Sequence, residues 1–223
     1  MGVCACIAAA DWQPHRVVLL NAPEPMVTAP AQRQVVTEAW NRVVAVPYIV
    51  YMPEKDRVLM LLSCDYPHQA MVLESDDHGA IWSAPRYVHA GAEGKGDTGM
   101  GYGLSYLGGG EVILMAGQRW FSHDYGQTWG DAQALLPLPD GKTWNGWDPL
   151  FVDRAASGKG ARIIETGYGM NQEIYQAANG PGYSTGHWRA SMDGGKTWGE
   201  GVKVPEWTGI SEVALVRAKN GDL

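Results

Sequence analysis

From Val44 onward the chain is written in short apolar or alternating runs separated by turn formers. Val46–Tyr51, Val58–Ser63 and Gln69–Glu74 form a first set. Gly103–Leu107, Glu111–Ala116 and Arg119–Phe121 form a second, and Asp148–Val152, Arg162–Thr166 and His187–Ala190 a third. Each run is rich in aliphatic, β-branched or aromatic residues and is bounded by Gly, Pro, Asp or Asn. That pattern predicts short antiparallel strands joined by tight turns. A further run follows each set, as in Arg86–His89 and Val202–Pro205, so each set predicts four strands. Ser211–Arg217 predicts one more strand, with Ala218–Asp222 as its hairpin turn. No strong amphipathic helix stands out.

A repeat punctuates the sets. Ser75-Asp76-Asp77-His78-Gly79-Ala80-Ile81-Trp82, Ser122-His123-Asp124-Tyr125-Gly126-Gln127-Thr128-Trp129 and Ser191-Met192-Asp193-Gly194-Gly195-Lys196-Thr197-Trp198 share the pattern S-x-D-x-G-x-[TI]-W. An Asp two residues before a Gly suits a tight turn: the carboxylate accepts backbone N–H bonds and the glycine takes a positive φ. The Trp that follows can fold back on the sheet as a plug. Ser122 follows Ser75 by 47 positions and Ser191 follows Ser122 by 69. The first interval fits a four-stranded repeat unit of roughly 40–50 residues. The second predicts an insertion of about twenty residues in such a unit, within Arg154–Gly186.

Composition narrows the chemistry. There are 10 Trp and 10 Tyr against 2 Phe, with 29 Gly, which fits many short strands and turns. Lys+Arg is 17 and Asp+Glu 24, a net charge of −7 with no basic patch. Binding to nucleic-acid phosphates is therefore not expected. No apolar run approaches the roughly 20 residues of a membrane span. The three cysteines, Cys4, Cys6 and Cys64, do not make a disulfide framework. The six histidines show no metal-ligand spacing, and Gly99–Gly103 lacks the strand–loop–helix context of a nucleotide site. No cofactor or metal is expected. Met1–Ala10 is apolar but lacks the charged start of a signal peptide, which leaves a secreted or periplasmic location open.

The repeated turn resembles the Asp box of the sialidase (neuraminidase) superfamily, the BNR-repeat propellers. Over residues 41–223 the resemblance implies an all-β, sialidase-like six-bladed β-propeller, with about three blades and one strand present. Residues 1–40 read as a connector rich in Pro, Ala and Gln, with Arg16–Leu20 a candidate strand of a neighbouring blade. The expectation is a fragment of the ring, or a ring completed by another copy; the oligomeric state is open. The resemblance implies a retaining glycoside hydrolase cleaving terminal sugars from glycans. The alternative is an Asp-box propeller that binds a glycan or a protein without catalysis, or an inactive fragment.

Blade topology places the Asp boxes on one face and the site on the other. The site face gathers Asp65 and His68 from the first set, with Tyr66, and Tyr102 and Arg119 from the second, with Gln118 and Asp97. Trp147, Asp148 and Tyr168 come from the third, and Glu212 from the partial fourth. Aromatic rings stack on sugar C–H groups, and carboxylates hold hydroxyls or move protons. By resemblance, Asp65 is the acid/base and Glu212, in Ser211-Glu212-Val213, activates a nucleophilic Tyr. His68, Tyr102, Arg119, Trp147, Asp148 and Tyr168 are then the substrate-binding candidates. The family opens an inner strand with Phe-Arg-Ile-Pro to clamp the substrate carboxylate; this chain has Val44-Ala45-Val46-Pro47, so Ala45 replaces the Arg, with Arg42 three residues earlier. Each candidate has a plainer role open to it: Asp65 or Asp148 can shape a turn, Arg119 can pair with the carboxylate of an Asp box, and Trp144 and Trp147 can be core plugs.

Overall fold

A computed structural model describes residues 35–37, 40, 42, 44–65, 67–89, 96, 98–153, 162–171 and 182–223. Met1–Asn41 and Arg42–Leu223 form two compact units, and every described strand belongs to the second. The candidate strand at Arg16–Leu20, Cys4, Cys6, Tyr66 and Asp97 lie outside the described residues.

The fold is all-β. β1 (Val44–Met52), β2 (Arg57–Cys64), β3 (Gln69–Ser75) and β4 (Arg86–Tyr87) pair in that order as one antiparallel sheet. β5 (Gly101–Gly108), β6 (Glu111–Ala116), β7 (Gln118–Ser122) and β8 (Gly130–Gln133) form the second sheet. β9 (Phe151–Asp153), β10 (Arg162–Met170), β11 (Ser184–Ser191) and β12 (Val202–Thr208) form the third. The three sets of runs are these three sheets. Among the described residues no helix is long and apolar enough to cross a membrane.

Two boundaries differ from expectation. β9 begins at Phe151, after Asp148, because Pro149 cannot donate to a ladder. Most of the described residues within Arg154–Gly186 are strand: β10 and β11 pair from Ile163↔Ser191 to Met170↔Ser184. Ser211–Arg217 has the alternating burial of a strand but no ladder partner among the described residues.

Strand alternation builds the core. Successive side chains of β6 point to opposite faces. Val112, Leu114 and Ala116 join Leu59, Leu61, Val72 and Leu104 in one cluster between the first two sheets. Ile113 and Met115 join Phe121, Leu150 and Ile163 in a second cluster towards the third sheet. The second sheet is thus buried on both faces. Inner strands are tied as well: Ser63 Oγ donates to Gly101 O at 2.6 Å, and Leu150 N donates to Ser105 Oγ at 2.8 Å.

The second and third S-x-D-x-G turns each pack against the sheet before their own. In the second, Gly126 N donates to Ser122 Oγ at 2.8 Å and Thr128 N to Asp124 Oδ1 at 2.9 Å. The third repeats this through Ser191, Gly195, Asp193 and Thr197. Gly126 and Gly195 take φ of 81° and 87°, and a Cβ on either would stand 2.6 Å from Leu59 Cδ2 or 2.7 Å from Ile113 Cδ1. Trp129 packs on the first cluster and Trp198 on the second, so the plug role expected of these tryptophans is the role they fill.

Candidate active site

The ladder registers put the two functions at opposite ends of the sheets. β3 ends in its S-x-D-x-G turn at Ser75, which pairs with Val58. Cys64 and Gln69, Gly101 and Ala116, and Met170 and Ser184 close the other end. The site candidates gather there.

Tyr48 of β1, Asp148 of the loop before β9 and Glu212 lie within electrostatic reach of one another. Tyr48 of β1 donates its hydroxyl to Trp147 O at 2.5 Å, reaching from the first sheet to the loop before β9. Burial, then the charges of Asp148 and Glu212, push the Tyr48 phenol up to about 12. Burial, then the charge of Glu212, raises the Asp148 carboxyl above the usual range. Asp148 Oδ2 is buried with no hydrogen-bond partner among the described residues. Asp148 therefore holds a proton more readily than an ordinary Asp, and Glu212 is the charge that helps it do so.

The backbone around this cluster is strained. Val46 has φ 52° and Glu212 φ 54°, both left-handed. For a β-branched residue ahead of a proline this is an outlier. Val46 lies in the register shift of β1 between Ala45 and Tyr48, which re-aims Tyr48. Strain of this kind, roughly 1–3 kcal/mol per residue, persists where the surroundings over-determine it and is enriched at functional sites. Val213 O, next to Glu212, is held by the Thr166 hydroxyl of β10.

Beside the cluster lies a cavity of about 480 Å³. Tyr102, Trp144, Trp147 and Tyr168 supply its aromatic walls, and Gln118 and Asn145 its amides. Tyr102 and Trp147 are stacked, with centroids 5.8 Å apart and planes 4° from parallel. Burial is the main cause of a Tyr102 phenol at about 12. Asn145 and Tyr168 exchange backbone bonds at 3.1 and 2.8 Å, which fixes the loop carrying Trp147 against β10.

The structure separates the remaining candidates from this cavity. Asp65 and His68 sit in the β2–β3 turn and do not line it; His68 O accepts Thr98 N at 2.9 Å. Arg42 occupies the same rim, donating to Pro67 O at 2.8 Å and to Gln69. Arg119 is 1 % exposed, with Nη2 2.9 and 2.8 Å from the two Glu165 oxygens. Its guanidinium is held by Glu165 and lies 4.2 Å over the Trp198 ring. The carboxylate that pairs with Arg119 is Glu165 of β10 and not the carboxylate of a repeated turn. Trp144 is buried beneath Gly167 and stacked on Arg189 at 3.9 Å, so it is both plug and cavity wall. Tyr48 escaped sequence reading: its partner Trp147 stands 99 positions away, and the irregularity at Val46-Pro47 was the one local signal. Among the described residues no group of three His, Cys, Asp or Glu is placed to hold a metal ion.

Comparison with known proteins finds likeness in structure. The chain superposes on the Hadza microbial sialidase Hz136 with a TM-score of 0.52 at 14 % identity, over 70 % of this chain and 36 % of the sialidase. It also matches an N-acetylgalactosamine deacetylase from F. plautii, solved with blood group B trisaccharide, with a TM-score of 0.42 at 16 % identity, over 75 % of this chain and 53 % of that one. The chain thus spans about a third of the length of the sialidase and about half that of the deacetylase. No protein-family profile matches it, and no curated protein does. The sialidase match establishes a sialidase-like fold.

Proposed function

We propose that this chain acts on glycans as a sialidase-like glycoside hydrolase, with Asp148 and Glu212 as its working carboxylates. The observation that carries the reading is their convergence with Tyr48 beside an aromatic-walled cavity. Pairs of carboxyls whose surroundings set one apart as the proton holder divide acid and base roles between them. Asp148, protonated, gives its proton to the departing glycosidic oxygen. Glu212 takes the proton of the attacking nucleophile. Tyr48 holds Trp147 O and so fixes the loop that aims Asp148. Asp65, at the rim of the first sheet, is the other candidate acid. The ring of six blades and the Asp-box character of the repeated turns belong to this same reading, supported by the sialidase likeness.

Turnover of a broad panel of labelled glycosides by the full chain tests it. Activity abolished by Asp148→Asn and by Glu212→Gln supports the assignment. Activity lost in Asp65→Asn and kept in Asp148→Asn moves the acid role to Asp65. Ala45, in place of a clamp Arg, favours a second reading, glycan binding without hydrolysis; binding unchanged in all three variants with no turnover in any would select it.

A further inference from the structure

The cavity beside Asp148 has a neighbour. A second one, of about 320 Å³, is lined by His89, Thr98, Gly99 and Trp120, and both share Gly117 and Gln118. β6 ends at Ala116 and β7 begins at Gln118, so Gly117 alone makes the turn between the cavities. Its φ is +65°, and the position its Cβ would take is 3.7 Å from Gly99 Cα. Gly99 is itself left-handed, at φ +97°, and a Cβ there would stand 3.0 Å from the Ala116 carbonyl. The ridge between the cavities is therefore two glycine backbones in close approach, with Gln118 the side chain that tops it. A glycine pair keeps such a ridge low, as any larger residue would be strained and would rise into the passage.

The two linings share a chemistry. The second cavity carries an edge-to-face pair, His89 and Trp120, with centroids 5.4 Å apart. Polar groups in the two are amides, hydroxyls, two phenols, indole N–H groups and an imidazole. Among the described residues neither lining includes Lys, Arg, Asp or Glu. Among the described residues, such a groove offers a carboxylate no cation to offset the water it would lose. Hydroxyls would find partners, and sugar C–H faces would find rings.

We propose that the two cavities form one groove for an extended chain of neutral sugar units. The first cavity holds the unit nearest Asp148 and Glu212, and the chain crosses the Gly117 ridge to rest on Trp120 and His89. This rests on the glycan-acting reading and adds to it chain length and neutrality. Each cavity alone has the size of a small-molecule site, roughly 300–1,000 Å³, and two in line exceed what one sugar ring requires.

Calorimetric titration of the full chain with neutral gluco-, xylo- and galacto-oligosaccharides, from monosaccharide to hexasaccharide, tests the groove. In at least one series affinity is expected to rise roughly tenfold, about 1.4 kcal/mol, between monosaccharide and tetrasaccharide and then level off. His89→Ala and, independently, Thr98→Trp, which fills the second cavity, are expected to remove most of that rise; thermal melts confirm that each is folded. Equal affinity for short and long chains overturns the groove while leaving a one-sugar glycoside site intact. Tighter binding of oligosaccharides capped with a uronic or sialic acid overturns the neutral specificity. No binding and no turnover of any glycan overturns both this inference and the reading beneath it.

Discussion

Arg119 of β7 meets Glu165 of β10 across the space between the second and third sheets, and Glu165 lies directly opposite Arg189 in its own hairpin. Arg189 also donates to Glu165, and Trp198 and Trp144 cover the guanidiniums. Two cations share one carboxylate here, with Arg119 1 % and Glu165 3 % exposed. Removing a partner from such a buried set leaves charge without compensation, at a cost of about 3–5 kcal/mol. Glu165→Ala is expected to lower stability by that amount in denaturant titration. Replacing Arg119, Glu165 and Arg189 together with apolar residues of similar volume is expected to cost much less.

The glycine of the repeated turn supports a finer test within one turn. Gly194 and Gly195 are both left-handed, at φ 77° and 87°, but a Cβ on Gly194 meets nothing within 4 Å, while one on Gly195 collides with Ile113. Gly194→Ala therefore bears only the backbone cost of about 1–2 kcal/mol. Gly195→Ala adds overpacking of the second cluster, roughly 1–3 kcal/mol more. Thermal melts of the two single variants are expected to rank them in that order; equal melting points would show that the turn does not hold the sheets together.

Those turns were legible in sequence because their bonds are local. Ser191, Asp193, Gly195 and Thr197 satisfy one another within a few residues, so the motif contains its own explanation. The three sheets were legible for the same reason: alternation in Glu111–Ala116 assigns Leu114 and Ile113 to opposite faces before any partner is known. The site was less so. Arg119 has the residue type of a substrate clamp, and what removes it from that role is Glu165, 46 positions on. Tyr48 gains its place from the Trp147 carbonyl, in the loop before β9 and 99 positions away. Aromatic cavity residues Tyr102, Trp147 and Tyr168 were found because turn topology alone brings them to one end.

Acid sensitivity follows from the turn carboxylates. Hydrogen bonds from the Thr197 hydroxyl, then the Thr197 N–H, hold Asp193 down at about 2. Asp77 is lowered chiefly by the Ile81 N–H; burial raises Asp124, but bonds from Thr128, Ser122 and Gln127 together bring it below the usual range. A folded-state value below the unfolded one, about 3.9 for Asp, means stability fully present above that pH and lost as pH falls towards 2. Melting temperature is expected to drop between pH 4 and pH 2, and the drop to shrink in Asp193→Asn. A wild-type melting temperature flat across that window would contradict these bonds.

At the site the linkage runs the other way. The Asp148 carboxyl is raised by burial and then by Glu212, so its proton is held to higher pH than an ordinary Asp allows. Glu212→Gln removes the negative charge but not the burial. The Asp148 titration, followed by carbon NMR of its carboxyl in the full chain, is therefore expected to move to lower pH in Glu212→Gln without returning to the ordinary value. Tyr48→Phe removes the hydroxyl that holds Trp147 O and leaves Glu212 in place, so burial and Glu212 continue to raise Asp148. An Asp148 titration identical with and without Glu212 would mean that the two carboxyls do not feel each other, and the division of acid and base between them would fail with it.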